Sequence, residues 1–177
     1  RREEQIIELP TEEIVSAESV FPCKNFVLTG GEPLIQEKGW IELITALSGH
    51  FEIETNGTLL PSHPFLELID QLNVSPKLEV SNVDPALRYK PEVLTELAAT
   101  GKADFKFVVG DHADFEELEK VCQKAQIGPD HVFLMPKANS VEELEANQDF
   151  VADLAQKHGY RFSDRLHLRL FGAKRGV

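Results

Sequence analysis

At 177 residues, 42% hydrophobic and 27% charged, with a formal net charge of -12, the chain has length for one real core and too little for two comfortable domains. It contains no run of eighteen apolar residues, which excludes a transmembrane helix, and the hydrophobic fraction argues against wholesale disorder. The acidic balance disfavours a broad electrostatic grip on nucleic acid, and the opening RREEQIIELP carries no apolar targeting segment.

Residues 11–20 read as a helix with Thr11 as its cap, and Phe26-Val27-Leu28 as a strand ending near Thr29. Residues 39–48 place Trp40, Ile41, Ile44 and Leu47 on one helical stripe. A strand follows at 51–55, then a helix over 62–72 that Ser62 can cap and in whose first turn Pro64 costs little. A short strand at 72–76 precedes a helix at 91–99 and a strand at 104–109. Asp114 and Glu117 have the spacing of a capping box for a helix through Gln126. A strand at 131–136, a helix from Ser140 to about His158 and a last strand, LHLRLFG at 166–172, complete the chain. About six short apolar strands separated by helices predict a parallel sheet covered by helices. Periodicity leaves open whether that sheet is doubly wound or a partial barrel.

In either architecture the loops beyond the carboxyl ends of the strands converge on a ligand-facing rim. Gly30 and Gly31 allow close approach to the main chain, and Glu32 offers a carboxylate to a ligand ammonium. Glu54 emerges from an apolar strand and needs a donor or a solvent-filled cleft. Thr55 and Asn56 follow it, and Asn56-Gly57 also suits an ordinary tight turn. Ser75 and Lys77 flank Pro76 and present a hydroxyl and a cation. Lys106 sits in a strand whose alternation also allows it to face a helix. In the last 21 residues Lys157, Arg161, Arg165, Arg169, Lys174 and Arg175 stand against Asp164 alone, either a solvated basic tail or an anion-binding rim. His167 is either packed in the last strand or turned to a pocket. Cys23 and Cys122, 99 positions apart, make no disulfide framework or local metal motif, and a reducing cytoplasm is the default.

Taken together, VLTGGEPLIQ, FEIETNGT, VSPK, DFKFVV, VFLMPKANSVEEL and the ending HGYRFSDRLHLRLFGAKRGV resemble 7-carboxy-7-deazaguanine synthase, of the radical S-adenosylmethionine family of queuosine biosynthesis. The resemblance covers residues 12–177 and implies an α/β fold, a modified incomplete (β/α) barrel in which 1–177 form one partial domain. It implies conversion of 6-carboxy-5,6,7,8-tetrahydropterin to 7-carboxy-7-deazaguanine and ammonia by radical ring contraction. The cofactors implied are a [4Fe-4S] cluster, S-adenosyl-L-methionine and Mg2+. An electron donor such as flavodoxin or ferredoxin and a homodimer are implied as partners, with no direct nucleic acid and no membrane.

Carried onto this chain, the resemblance makes Gly30, Gly31, Glu32, Glu54, Thr55, Ser75, Lys77 and Met135 candidates for the cofactor. Asn56, His167, Lys174, Arg175 and Val177 become candidates for the substrate. No catalytic residue is assigned. The departure is the family's CxxxCxxC cluster loop, which does not occur in this sequence, together with its neighbouring magnesium ligand. Cys23 alone cannot replace three thiolates. A truncated or incompletely represented enzyme is the expectation. The rivals are an S-adenosylmethionine- or pterin-binding module without catalysis, and another radical S-adenosylmethionine enzyme such as a glycyl-radical activase.

Overall fold

The computed structural model describes residues 7–18, 20–81, 83–84 and 88–174. Helix α1 (Thr11–Glu18) precedes β1 (Asn25–Leu28), and α2 (Glu37–Ala46) leads to β2 (His50–Thr55). Next come α3 (His63–Leu68), β3 (Gln71–Val74), α4 (Pro91–Ala99) and β4 (Ala103–Val109). Helix α5 (His112–Ala125), β5 (Val132–Pro136), α6 (Val141–His158), β6 (Arg161–Phe162) and α7 (Leu166–Phe171) follow.

All six strands lie in one sheet in the order β1-β2-β3-β4-β5-β6, every neighbouring pair parallel. Right-handed crossovers that always step the same way place their helices on one face. A doubly wound sheet instead reverses its strand order at a switch point. No reversal occurs here, so the architecture is that of an incomplete (β/α) barrel, an open arc of six strands.

Alternation along the strands separates the two faces. Phe51 and Ile53, Leu72 and Val74, Phe105, Phe107 and Val109, and Val132 and Leu134 are all buried on the helix-covered face. They pack with Phe65, Leu94, Leu97, Leu118 and Val151 in one continuous core. The register sets Glu54 beside Asn73, Asn73 beside Asp104, Lys106 beside Phe133 and Val108 beside Met135 on the opposite face. That face mixes the polar Glu54, Asn73, Asp104 and Lys106 with Phe133, Val108 and Met135, and is only half-buried.

Four local expectations change. The segment LHLRLFG is the helix α7 rather than a strand, and the sixth strand is the dipeptide Arg161–Phe162. Only Leu168 of α7 is buried, so the apolar alternation of the segment does not report a sheet position, and its i to i+4 closure (Gly172 N to Leu168 O, 2.8 Å) is helical. The cap of α5 is Asp111, whose Oδ1 accepts from the Asp114 N–H at 3.0 Å. Asp114 lies within the first turn, buried, its carboxylate accepting from the Gly110 N–H at 2.8 Å. Burial raises the Asp114 pKa above its ordinary 3.8, although that bond opposes the rise. Thr11 is itself the first helical residue of α1, and α3 stops at Leu68, short of the expected 72. The caps at Ser62 and Ser140 form as expected.

Two measurements check these elements. Asp111→Ala lowers stability by about 1 kcal/mol, as loss of a helix N-cap does, read as a lower urea midpoint. At the α7 end, the hydrogen bond from Arg169 holds the Asp164 carboxyl below its ordinary 3.8. A depressed folded pKa means that this stabilisation is complete above 3.8 and lost as pH falls through the lower folded value. Amide exchange of α7 therefore accelerates in acid in the parent, and Asp164→Asn removes that acid-dependent step.

Candidate functional site

The site begins where β1 ends. Gly30 and Gly31 adopt φ of 105° and 64°, angles open to glycine and costly for residues with a Cβ. The double turn delivers Glu32 to the end of β2. There its Oε1 accepts from Thr55 Oγ1 at 2.8 Å and from the Leu34 N–H at 3.3 Å, and its Oε2 accepts from the Asn56 N–H at 2.9 Å. The carboxylate expected to wait for a ligand ammonium is therefore largely engaged in joining the glycine turn to β2. Oε2 retains acceptor capacity.

Beyond β2, Asn56 Oδ1 accepts from the Thr58 N–H at 2.9 Å and from Thr58 Oγ1 at 2.6 Å. Gly57 has φ 76°, and a Cβ there would come within 2.8 Å of Val74 and 2.7 Å of Leu94. The turn reading of Asn56-Gly57 thus holds, while Asn56 still borders a cleft of about 420 Å3. Thr29, Gly31, Glu54, Thr55 and Thr58 line it from β1 and β2, and Ser75, Lys77, Val83, Arg88 and Lys106 from β3, β4 and the intervening loop. A volume of this order suits a small ligand or cofactor.

Lys106 faces this open side, not the helices. Its Nζ lies 3.2 Å from Glu54 Oε2, each side chain about one-third exposed. This ion pair answers the demand of Glu54 for a donor and also borders a second compartment of about 210 Å3, with Asn73, Asp104, Phe133 and Ser163. Asp104 Oδ1 there accepts from His131 Nδ1 at 2.9 Å when the imidazole carries its proton on that nitrogen. Lys77 is exposed as a residue, but its ammonium turns back to Ser75 Oγ at 3.2 Å. Withdrawal from water lowers its pKa, and repulsion from Lys106 adds to the effect, against the opposing pull of Glu54.

Met135 shares the open face beside Val108 but lines neither cleft. His167 and Lys174 are exposed at α7 and beyond it, outside both linings, and the strand expected for His167 is helix. Arg175 and Val177 lie outside the described residues. The basic tail is largely engaged by the protein. Arg165 Nε donates to the Pro136 carbonyl, Arg169 pairs with Asp164, and Arg161 stacks over the Phe133 ring at 5.2 Å. With Val83, Arg88 is a lining residue that sequence reasoning missed. Its isolated position ahead of TyrLysPro carries no local signal of a cleft.

The polar donors and acceptors of the larger cleft fit an amino-acid-bearing nucleoside such as S-adenosylmethionine. A cluster is different. The chain has two cysteines: Cys23, exposed ahead of β1, and Cys122, buried in α5 with its thiol pushed up to about 12 by burial. They cannot supply three adjacent thiolates. Among the described residues, no group of three or more His, Cys, Asp and Glu stands ready for a metal ion, and no helix is long and apolar enough to cross a membrane.

No protein-family model matches the chain. It is similar to the 7-carboxy-7-deazaguanine synthase of Pyrobaculum aerophilum, with 38% identity over 174 residues, 96% of this chain and 76% of that protein. The Halobacterium salinarum synthase of the same name is 35% identical, covering 89% of this chain and 69% of its own length. That of Rhodopirellula baltica is 37% identical over 87% of this chain. The chain spans 64% of the length of the Rhodopirellula protein.

Two results follow from this geometry. Glu32→Gln keeps one acceptor but leaves the Asn56 N–H facing an amide, costing about 1–3 kcal/mol and speeding amide exchange at Asn56. With a disulfide reagent near neutral pH, Cys23 reacts rapidly and Cys122 only on unfolding, so peptide mapping finds one labelled cysteine in the native protein.

Proposed function

This chain belongs to the 7-carboxy-7-deazaguanine synthase family, and from that premise we propose that its strand-end cleft binds S-adenosylmethionine for the conversion of 6-carboxy-5,6,7,8-tetrahydropterin to 7-carboxy-7-deazaguanine and ammonia. The observation that carries this proposal is the clamp made by Glu32. It joins the glycine turn after β1 to the end of β2 and so opens a polar cleft at the carboxyl ends of parallel strands, where such folds bind their ligands.

In this proposal Gly30, Gly31 and the free acceptor capacity of Glu32 receive the amino-acid end of S-adenosylmethionine. Ser75 and Lys77 face its polar groups, Glu54 holds a hydroxyl or ammonium donor, and Asn56 meets the pterin. When bound and reduced by one electron from an external donor, S-adenosylmethionine would supply the radical for the ring contraction. The work of these residues is to bind, orient and exclude water, because the hard chemistry belongs to the cofactor. No step is assigned through an iron-sulfur cluster, whose thiolates the two cysteines do not furnish. The electron donor, Mg2+ and homodimer belong to the same family-based proposal, and no residue described here is assigned to them.

Calorimetric titration with S-adenosylmethionine, paired with mass-spectrometric detection of 7-carboxy-7-deazaguanine, tests the proposal. Glu54→Gln and Lys77→Met each weaken cofactor binding about tenfold, the scale of one charge-assisted hydrogen bond, with little change in unfolding midpoint. A protein that binds neither S-adenosylmethionine nor the pterin overturns it. Binding without product leaves a cofactor-binding module.

A further inference from the structure

Arg88 is almost as enclosed as a core residue, with 8% of its side chain exposed, yet it borders the larger cleft beside Lys77. Its Nη1 donates to the Lys77 carbonyl at 2.9 Å and to Glu117 Oε1 at 2.8 Å. Glu117, on α5, accepts the Glu79 N–H on its other oxygen at 2.8 Å. One carboxylate thereby fixes two points of the segment that follows β3.

Enclosing the guanidinium strips it of water while Glu117 stays partly exposed, and an apolar pair of similar volume often holds a structure equally well. An apolar pair cannot, however, place a donor on the Lys77 carbonyl. The guanidinium also keeps its buried Nε without an acceptor among the described residues, a cost that calls for an explanation in a native fold. The charge around it is one-sided: among the cleft-lining groups Lys77, Arg88 and Lys106 face the single carboxylate of Glu54, in a chain of net charge -12.

We infer that Arg88 is a positioning residue for the cleft: clamped by Glu117, it holds the Lys77 backbone so that the Lys77 ammonium stays over Ser75, ready for an anionic group of the ligand. This deepens the proposed function and rests on it. Arg88 acts through Lys77, and the two substitutions are therefore not independent. The lowered pKa of Lys77 agrees with an ammonium partly withdrawn from water and held close to other cations.

A double-mutant cycle on S-adenosylmethionine affinity tests the inference. Arg88→Met weakens binding about tenfold in the parent but has no further effect in the Lys77→Met background. Backbone exchange at Lys77 to Ser81 rises in Arg88→Met without a matching rise in the β-sheet core. If Arg88→Met does not fold, Arg88→Lys serves in its place, because a lysine keeps the charge toward Glu117 but lacks the forked geometry that also meets the Lys77 carbonyl. Equal losses from the arginine substitution in both backgrounds overturn the inference, as does unchanged affinity in the parent background. A parent protein that binds no S-adenosylmethionine overturns the functional proposal and this inference together. Binding by the parent with multiplicative losses overturns the inference alone.

Discussion

The period of two along β2 to β5, locked by the parallel register, is the constraint on which the rest of this molecule depends. It sends Phe51, Ile53, Leu72, Val74, Phe105, Phe107, Val132 and Leu134 into the helix-covered core. The intervening residues Glu54, Asn73, Asp104 and Lys106 are necessarily set on the other face. A register slip of one residue would exchange the two sets and bury four polar side chains against the helices. Parallel sheets are usually apolar on both faces because both are covered. Here one polar face is left to form a site.

Polar groups on that face need partners, and the way they find them defines the site. Glu54 and Lys106, two strands apart, meet at 3.2 Å and bridge over Asn73. Asn73 turns instead to Glu52 at 2.7 Å, and Asp104 to His131. None of these exposed or half-exposed pairs contributes much to stability on its own. Their effect is to fix where charge stands when a ligand arrives. Glu32 does the same for the main chain, because three donors from two loops share one carboxylate. The glycine turn is thus tied to β2.

The distribution of charge supports a small ligand more than a large polyanion. Acidic residues crowd the outer faces of α5 and α6, whereas Lys77, Arg88 and Lys106 gather at the cleft. Arg161, Arg165 and Arg169, which make the carboxyl-terminal segment look basic, are engaged by the Phe133 ring, the Pro136 carbonyl and Asp164. The positive potential that remains is local to the strand ends, set within an acidic surface.

The sequence by itself determined the alternation of strands and helices, the parallel sheet, and the glycine turn, because each is encoded within a few residues: apolar period, capping serines at 62 and 140, and paired glycines at 30 and 31. It also placed Glu32, Glu54, Ser75 and Lys77 at strand ends. Its local signals misled where competing local interactions decide. LHLRLFG alternates like a strand but had no sheet edge to join before β6 took it, and Asp111 outcompeted Asp114 for the cap of α5. Periodicity left open whether the sheet is singly wound, since strand order is a property of crossovers and leaves no periodic trace; the family resemblance implied it and the tertiary structure bears it out. It alone brought Lys106 to Glu54 across 52 positions, turned Glu32 from a waiting acceptor into a clamp, and set Arg88 between Lys77 and Glu117. Those contacts join residues far apart in the chain, and no short stretch of sequence contains both partners.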